Sequence, residues 1–213
     1  MKPIVIQCPV KGRWSFLNPP GHHPDAKDFV AVDDNAKPYK GIALLKHLLG
    51  RLKVSEVFSW EAPVFAPFDG NIIKVENTCE DRQRLSLISD VYSGLFLGKQ
   101  EYAEDANDFF GNHIIMESKH GVYALFAHLK KGSVQVKQGD KIKTGSTLAS
   151  IGNSGNSIQP HLHFHLMQEN EPLTSTPLPF VFSAYELQDD RLWRKEKHSL
   201  PKNRRVFRVD DGA

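Results

Sequence analysis

Three histidines in strict alternation, His161, His163 and His165, separated by Leu162 and Phe164, are the residues of this chain best suited to chemistry. In an extended strand successive side chains take opposite faces, so the imidazoles share one side while Leu162, Phe164 and Leu166 share the other. This describes a half-buried strand whose polar face is imidazole. Same-face neighbours stand about 6.5 Å apart at Cα, at ~3.3 Å per residue. At that spacing one imidazole can bind a metal ion while the next acts on the bound water or the substrate. A catalytic zinc site takes three protein ligands, commonly His and carboxylate, and keeps a fourth position open. One histidine on a strand is more often surface decoration than a ligand; three in register weaken that reading. His128, closing the run Tyr123-Ala124-Leu125-Phe126-Ala127-His128, and the pair His22-His23 ahead of Asp28 add the imidazoles and the carboxylate such a site needs.

The elements that must position these groups read as β structure. Asp28 to Val32 is a buried strand after the turn-rich Asn18-Pro19-Pro20-Gly21, which cannot be helix interior. Val64 to Val75 shows two apolar runs around Asp69-Gly70, the signal of a hairpin. From Asn112 onward short strands are expected at His113 to Glu117, Val122 to His128, Val134 to Val136, Lys141 to Ile142, Thr147 to Ile151 and His161 to Met167, separated by Gly-bearing turns. Strands at such close intervals make an antiparallel all-β core. Two stretches break the pattern. Tyr39 to Lys53 carries Ile42, Leu44, Leu45, Leu48, Leu49 and Leu52 near helical spacing, and residues 77 to 110 mix charge with Leu, Phe and Tyr; both are expected to be helical insertions. Beyond Glu169, Pro172, Pro177, Pro179 and Pro201 suggest an irregular extension, 169–213, on a single domain, 1–168.

Composition narrows the classes. Lys and Arg number 27 against 25 Asp and Glu, a near balance that provides no general pull toward nucleic acid or anionic membranes; the basic stretch from Arg191 to Arg208 reads as a solvated tail, with contact to an acidic polymer as the alternative. Two cysteines, Cys8 and Cys79, make neither a disulfide framework nor a Cys-x-x-Cys zinc knuckle, and both are read as free. The apolar stretch Ile4 to Ile6 is too short for a signal-peptide core, and no span approaches the ~20 apolar residues of a membrane helix. The expected location is the cytoplasm if Met1 is native, and the periplasm or exterior if a leader has been removed.

Longer motifs carry a resemblance. Gly139-Asp140-Lys141-Ile142-Lys143-Thr144-Gly145, Ile151-Gly152-Asn153-Ser154-Gly155-Asn156-Ser157 and Pro160-His161-Leu162-His163-Phe164, with Tyr123 to Leu129 and Ala62 to Gly70 upstream, resemble the lysostaphin-type zinc endopeptidases, the LytM family. The resemblance covers about residues 20 to 35 and 60 to 168, minus the insertion at 77 to 110. It implies a mainly β fold with a sheet or sandwich core of the lysostaphin type. It implies one Zn²⁺ held by a His and an Asp of the first motif and by the second His of His-x-His: His22 or His23, Asp28 and His163. His161 and His128 match the histidines that handle protons and stabilise the tetrahedral intermediate. Such enzymes cut short peptide crosslinks, typically in peptidoglycan. The first motif departs from the family, which has three residues between His and Asp; here four separate His23 from Asp28 and five separate His22. An extended loop would favour His22, at an even offset, but Pro24 bends the chain. His165 stands where Glu or Gln is commoner, which suggests a supporting role.

Two other readings compete. Some relatives of the family have lost ligands and serve as activators of other cell-wall enzymes, and the irregular first motif allows such a binding module; the retained His128 and His161 oppose it. The stretch Val136 to Gly145 also has the look of a biotinyl or lipoyl carrier with Lys141 as its modification site, which would leave the histidines unexplained. Gly152 to Ser157 lacks the Gly-Lys-Ser/Thr ending and following helix of a phosphate loop and is read as a tight turn.

Overall fold

The computed structural model describes residues 2–17, 23–41, 46–47, 49–86, 106–190 and 192–210. The strands along the chain are β1 (Ile4–Ile6), β2 (Gly12–Leu17), β3 (Lys27–Ala31), β4 (Leu52–Lys53), β5 (Pro63–Phe65), β6 (Gly70–Glu76), β7 (Arg84–Leu85) and β8 (Asn112–Ser118). They continue with β9 (Tyr123–Leu129), β10 (Lys141–Ile142), β11 (Thr147–Ser150), β12 (Leu162–Met167), β13 (Pro177–Leu178), β14 (Phe180–Asp189), β15 (Leu192–Ser199) and β16 (Val206–Val209). A short helix, α1 (Ala106–Phe110), precedes β8. Among the described residues twelve strands form one sheet in the order β1-β14-β16-β2-β3-β12-β9-β8-β6-β10, with β13 on β12 and β15 on β14. The protein is mainly β. Its pairings are antiparallel except for β1 against β14, so the sheet is mixed rather than purely antiparallel.

One face of the central strands carries the main core. Phe16, Phe29, Phe126, Phe164, Phe182 and Phe207 are buried there, and Phe16 meets Phe29 edge-on with centroids 4.9 Å apart, a geometry aromatic pairs favour. The two-stranded ribbon β5–β11 adds Val64, Leu148 and Ala149 to this core. β5 and β6 therefore do not form the expected hairpin. Asp69 accepts hydrogen bonds from the Thr144 backbone N–H and hydroxyl and pairs with Lys143, so the chain turns there between two sheets. Val134 to Val136 is not a strand, although Gln135 N–H donates to Leu148 O.

The stretch after Glu169 is not irregular. β14 lays Phe180, Phe182 and Tyr185 into the main core and β16 adds Phe207; β16 pairs with β2, so the sheet continues from the N-terminal strands into the C-terminal ones. The prolines are compatible with this because Pro177 opens a two-residue strand and Pro179 lies between strands, positions where a missing N–H costs little. The basic stretch is not a tail: among the described residues it is largely β15, an exposed strand paired with β14, and Arg208 lies in β16. Of the expected insertions, Lys46 and His47 are helical, residues 42–45, 48 and 87–105 lie outside the described residues, and β4 pairs with β7 as an extended clip. No helix among the described residues is long and apolar enough to cross a membrane, and neither Cys8 nor Cys79 is in a disulfide among the described residues.

Candidate functional site

β12 and β3 run antiparallel with Leu162 opposite Phe29, His163 opposite Asp28 and Phe164 opposite Lys27. Directly opposed residues project to the same face, so this register alone puts the Asp28 carboxylate beside the His163 ring. His163 Nδ1 lies 2.9 Å from Asp28 Oδ1, and His161 Nε2 lies 3.6 Å from the same oxygen. All three side chains are buried.

His128 reaches the cluster through a break in alternation. Leu125 and Ala127 pack with Ile115 and Met167 on the imidazole face of the sheet, whereas Phe126 and Leu129 belong to the main core. Strict period two would send His128 to the core with Phe126. On β8 Asn112 faces Leu129 and Ile114 faces Phe126, which leaves one extra residue on β9, a bulge. His128 takes φ +59°, in the left-handed region that costs a residue with a Cβ of order 1 to 3 kcal/mol and that clusters at functional sites. The kink returns its ring to the site, 4.7 Å from that of His161 and 6.0 Å from that of His163, centroid to centroid.

Backbone carbonyls select the tautomers. His128 Nδ1–H donates to Ser154 O at 2.9 Å, and His161 Nδ1–H donates to Gln159 O at 2.7 Å, with Ser157 Oγ 3.2 Å from the same nitrogen. A carbonyl only accepts, so in each neutral ring Nε2 carries the lone pair. Burial, reinforced by the neighbouring His161 and His163, pushes the His128 imidazole well below its usual pKa, so it is neutral at pH 7. The loop carrying these carbonyls is braced from outside the motif. Arg82 Nη2 donates to Ser157 O and Ile158 O, both at 2.8 Å, and the Tyr39 hydroxyl bonds Gln159 Oε1. These supports carry no sequence signal, because a carbonyl acceptor is common to every residue type.

The imidazole face is covered, which corrects the expectation of a half-buried strand: all six residues of β12 are buried. The cover is α1. Phe110 packs against His163 and His165 with centroids 5.9 and 6.3 Å away, and the helix itself docks on the loop, where Asn156 N–H donates to Phe109 O at 3.0 Å. His165 completes the row, its Nδ1 3.0 Å from His163 Nε2. His113, also buried, bonds Gly111 O through Nδ1 at 2.8 Å.

Of the first-motif histidines, His22 lies outside the described residues. His23 is exposed and is engaged in its own turn: its Nδ1 accepts from Asp25 N–H at 3.2 Å and its carbonyl from Ala26 N–H at 3.0 Å. Among the described residues no group of three or more His, Cys, Asp or Glu side chains is gathered as a metal site. Asp28 Oδ1 and His163 Nδ1 nevertheless form a convergent carboxylate–imidazole pair, a donor chemistry that zinc accepts, and the turn that follows His23 leads directly into β3.

Over 77 residues the chain is 36% identical to the glycyl-glycine endopeptidase ALE-1 of Staphylococcus capitis, covering 35% of this chain and 21% of that protein. Over 65 residues it is 32% identical to the peptidoglycan DD-endopeptidase ShyB of Vibrio cholerae, covering 30% of this chain and 15% of that one. The chain thus spans about a fifth or less of the length of these relatives. A structural likeness to the catalytic domain of lysostaphin from Staphylococcus simulans covers 78% of this chain and 88% of that one, at 18% identity and a TM-score of 0.42. The model of peptidase family M23 matches residues 57–175, a span that contains His128, His161 and His163 and begins after Asp28. Because that match takes in more than half of the chain, the chain belongs to peptidase family M23.

Proposed function

We propose that the protein is a zinc-dependent endopeptidase that hydrolyses peptide bonds in peptidoglycan-type crosslinks through a metal-activated water. The observation that carries this reading is the convergence of Asp28, His128, His161 and His163 in one buried cluster, within a family whose relatives are named as glycyl-glycine and DD-endopeptidases. Asp28, His163 and one of His22 or His23 would hold the metal. Zinc bound there supplies a Lewis acid and brings the pKa of its water toward ~7. His128, neutral, and His161, each with Nδ1–H held by a backbone carbonyl and Nε2 turned inward, are suited to take the proton of the attacking water and return it to the leaving amine. In their protonated forms they can also hydrogen-bond the developing oxyanion. Their Nδ1–H bonds to Ser154 O and Gln159 O hold the rings in place, so little reorganisation is needed during the reaction.

The test combines metal analysis of the purified protein with hydrolysis of crosslink peptides and purified peptidoglycan. One zinc per chain and hydrolysis lost in His163→Ala support the reading. A protein that takes up no metal, or a His163→Ala variant with full hydrolysis, overturns it. A second reading, a metal-free binding module, is favoured by one feature: His23 faces Asp25 rather than Asp28. It requires that the wild-type chain bind peptidoglycan fragments without zinc and without cleaving them.

A further inference from the structure

The row of imidazoles on β12 does not end at the residues matched to the family motif. His165 is buried, 3% exposed, on the imidazole face where it is opposite Leu125 of β9 and beside Phe110. Its Nδ1 stands 3.0 Å from His163 Nε2, with the two rings nearly perpendicular at 83°. The edge of one ring thus addresses a nitrogen of the other. On its opposite side His163 turns Nδ1 to Asp28 Oδ1 at 2.9 Å.

We propose that His165 is a positioning residue that holds His163 in the tautomer able to ligate a metal through Nδ1; this rests on the zinc reading above. An imidazole that donates its Nδ1 lone pair to a cation carries its proton on Nε2. That Nε2–H lies in a buried region and needs an acceptor, because an unmade hydrogen bond there costs the full desolvation of the donor. His165 Nδ1 is such an acceptor at the observed distance. Hydrogen bonds of this kind to the outer nitrogen of a ligating histidine fix its ring and raise its basicity. The apolar surroundings of Phe110, Ile115, Leu125 and Met167 strengthen the bond by excluding water. With Nδ1 given to the metal rather than donated as an N–H to Asp28, the one proton of the neutral His163 ring is on Nε2, where the carboxamide oxygen of a Gln at position 165 would accept it and a hydrocarbon would not.

The test is zinc affinity of the full chain, measured by competition with a chromophoric chelator, with zinc alone as the probe. His165→Phe keeps a planar ring without an acceptor, His165→Leu is a second apolar replacement if the first does not fold, and His165→Gln restores an acceptor. Folding is checked by circular dichroism and thermal melting. The expected result is a zinc Kd weakened about 10- to 100-fold in the apolar variants and restored to within about threefold of wild type by Gln. A folded apolar variant that binds zinc as tightly as wild type overturns the proposal, as does a Gln variant as weak as Phe. Wild-type protein without zinc affinity overturns the zinc reading and this proposal together. Wild-type binding that is abolished in His163→Ala but unmoved in every His165 variant overturns only the role of His165.

Discussion

Asp28 and His163, 135 positions apart in the chain, are direct cross-strand partners whose side chains meet at 2.9 Å. The pairing of β3 with β12 that joins them also packs Phe29 against Phe164 on the opposite face, centroids 6.2 Å apart, so the same register serves the core and the site. A slip of one residue would bury Asp28 among phenylalanines and expel Phe29. The packing of the core therefore helps to hold the register on which the site depends.

Asp28→Asn keeps the shape of the carboxylate and removes its charge. Zinc affinity is expected to fall at least about tenfold, and hydrolysis of crosslink peptides with it, while the fold is retained. Chelator competition and circular dichroism check the two halves separately.

The left-handed backbone of His128 predicts an inverted order of substitutions. Gly normally destabilises a strand by roughly 0.5 to 1 kcal/mol relative to Ala. At residue 128 His128→Gly is expected to be more stable than His128→Ala by about 1 kcal/mol, because only Gly adopts this φ without penalty. Urea denaturation of the metal-free variants measures the difference. Both variants are expected to lose about 10²- to 10⁴-fold in hydrolysis, the usual contribution of a general acid–base group.

His128 also makes the stability of metal-free protein depend on pH. Its folded pKa is depressed, chiefly by burial, while the unfolded value is about 6.5. Above that pH both states are neutral at this residue and its contribution is fully present. As pH falls below it the unfolded chain takes up a proton that the folded chain refuses, and stability declines by up to about 1.4 kcal/mol per pH unit until the folded value is reached. Urea midpoints in chelator at pH 8, 6.5 and 5.5 are expected to fall only across the lower interval, about 6.5 to 5.5. The fall is expected to be shallower in His128→Gly.

Gly111 joins α1 to β8 with φ +60°, and a Cβ there would stand 2.4 Å from Ser154 C and 2.5 Å from Gly155 N. Both contacts are backbone and cannot yield cheaply. Gly111→Ala is expected to cost about 2 kcal/mol or more, from overpacking and an unfavourable φ together, and to displace the Ser154 carbonyl that orients His128. A lowered melting temperature with reduced hydrolysis checks it; unchanged hydrolysis in a destabilised variant would separate the helix from the site.

The two cysteines should differ in reactivity. Burial pushes the Cys8 thiol far above its usual value, whereas Cys79 is only partly buried. Mass spectrometry after brief treatment of native protein with a thiol reagent is expected to show a single adduct, on Cys79, with Cys8 labelled only after denaturation.

Much of this arrangement is legible in the residues. The period-two alternation of His161, His163 and His165 against Leu162, Phe164 and Leu166 determines that the histidines share a face, and strands at β3, β8, β9, β11 and β12 are expected from apolar runs, alternation and Gly-bearing turns. Elsewhere the alternation is obscured. The prolines after Glu169 hid the inward Phe180 and Phe182 of β14, and the Asp69-Gly70 signal described a turn but not which strands it joins. Leu52 fitted a helical spacing, yet its partner Leu85 on β7 lies far along the chain, and tertiary pairing outweighs local propensity.

By itself, then, the sequence determined the chemical inventory and the face of each strand, because those depend on residue type and a local period. Tertiary structure decided what no local period contains. It set Asp28 opposite His163 through a strand register, turned His128 inward through a bulge and a left-handed φ, and supplied the carbonyls of Ser154 and Gln159 that choose the tautomers. It also laid α1 over imidazoles that alternation alone would leave facing water. Each of these is a relation between distant segments, selected by the packing of two faces at once rather than by the preference of any one stretch.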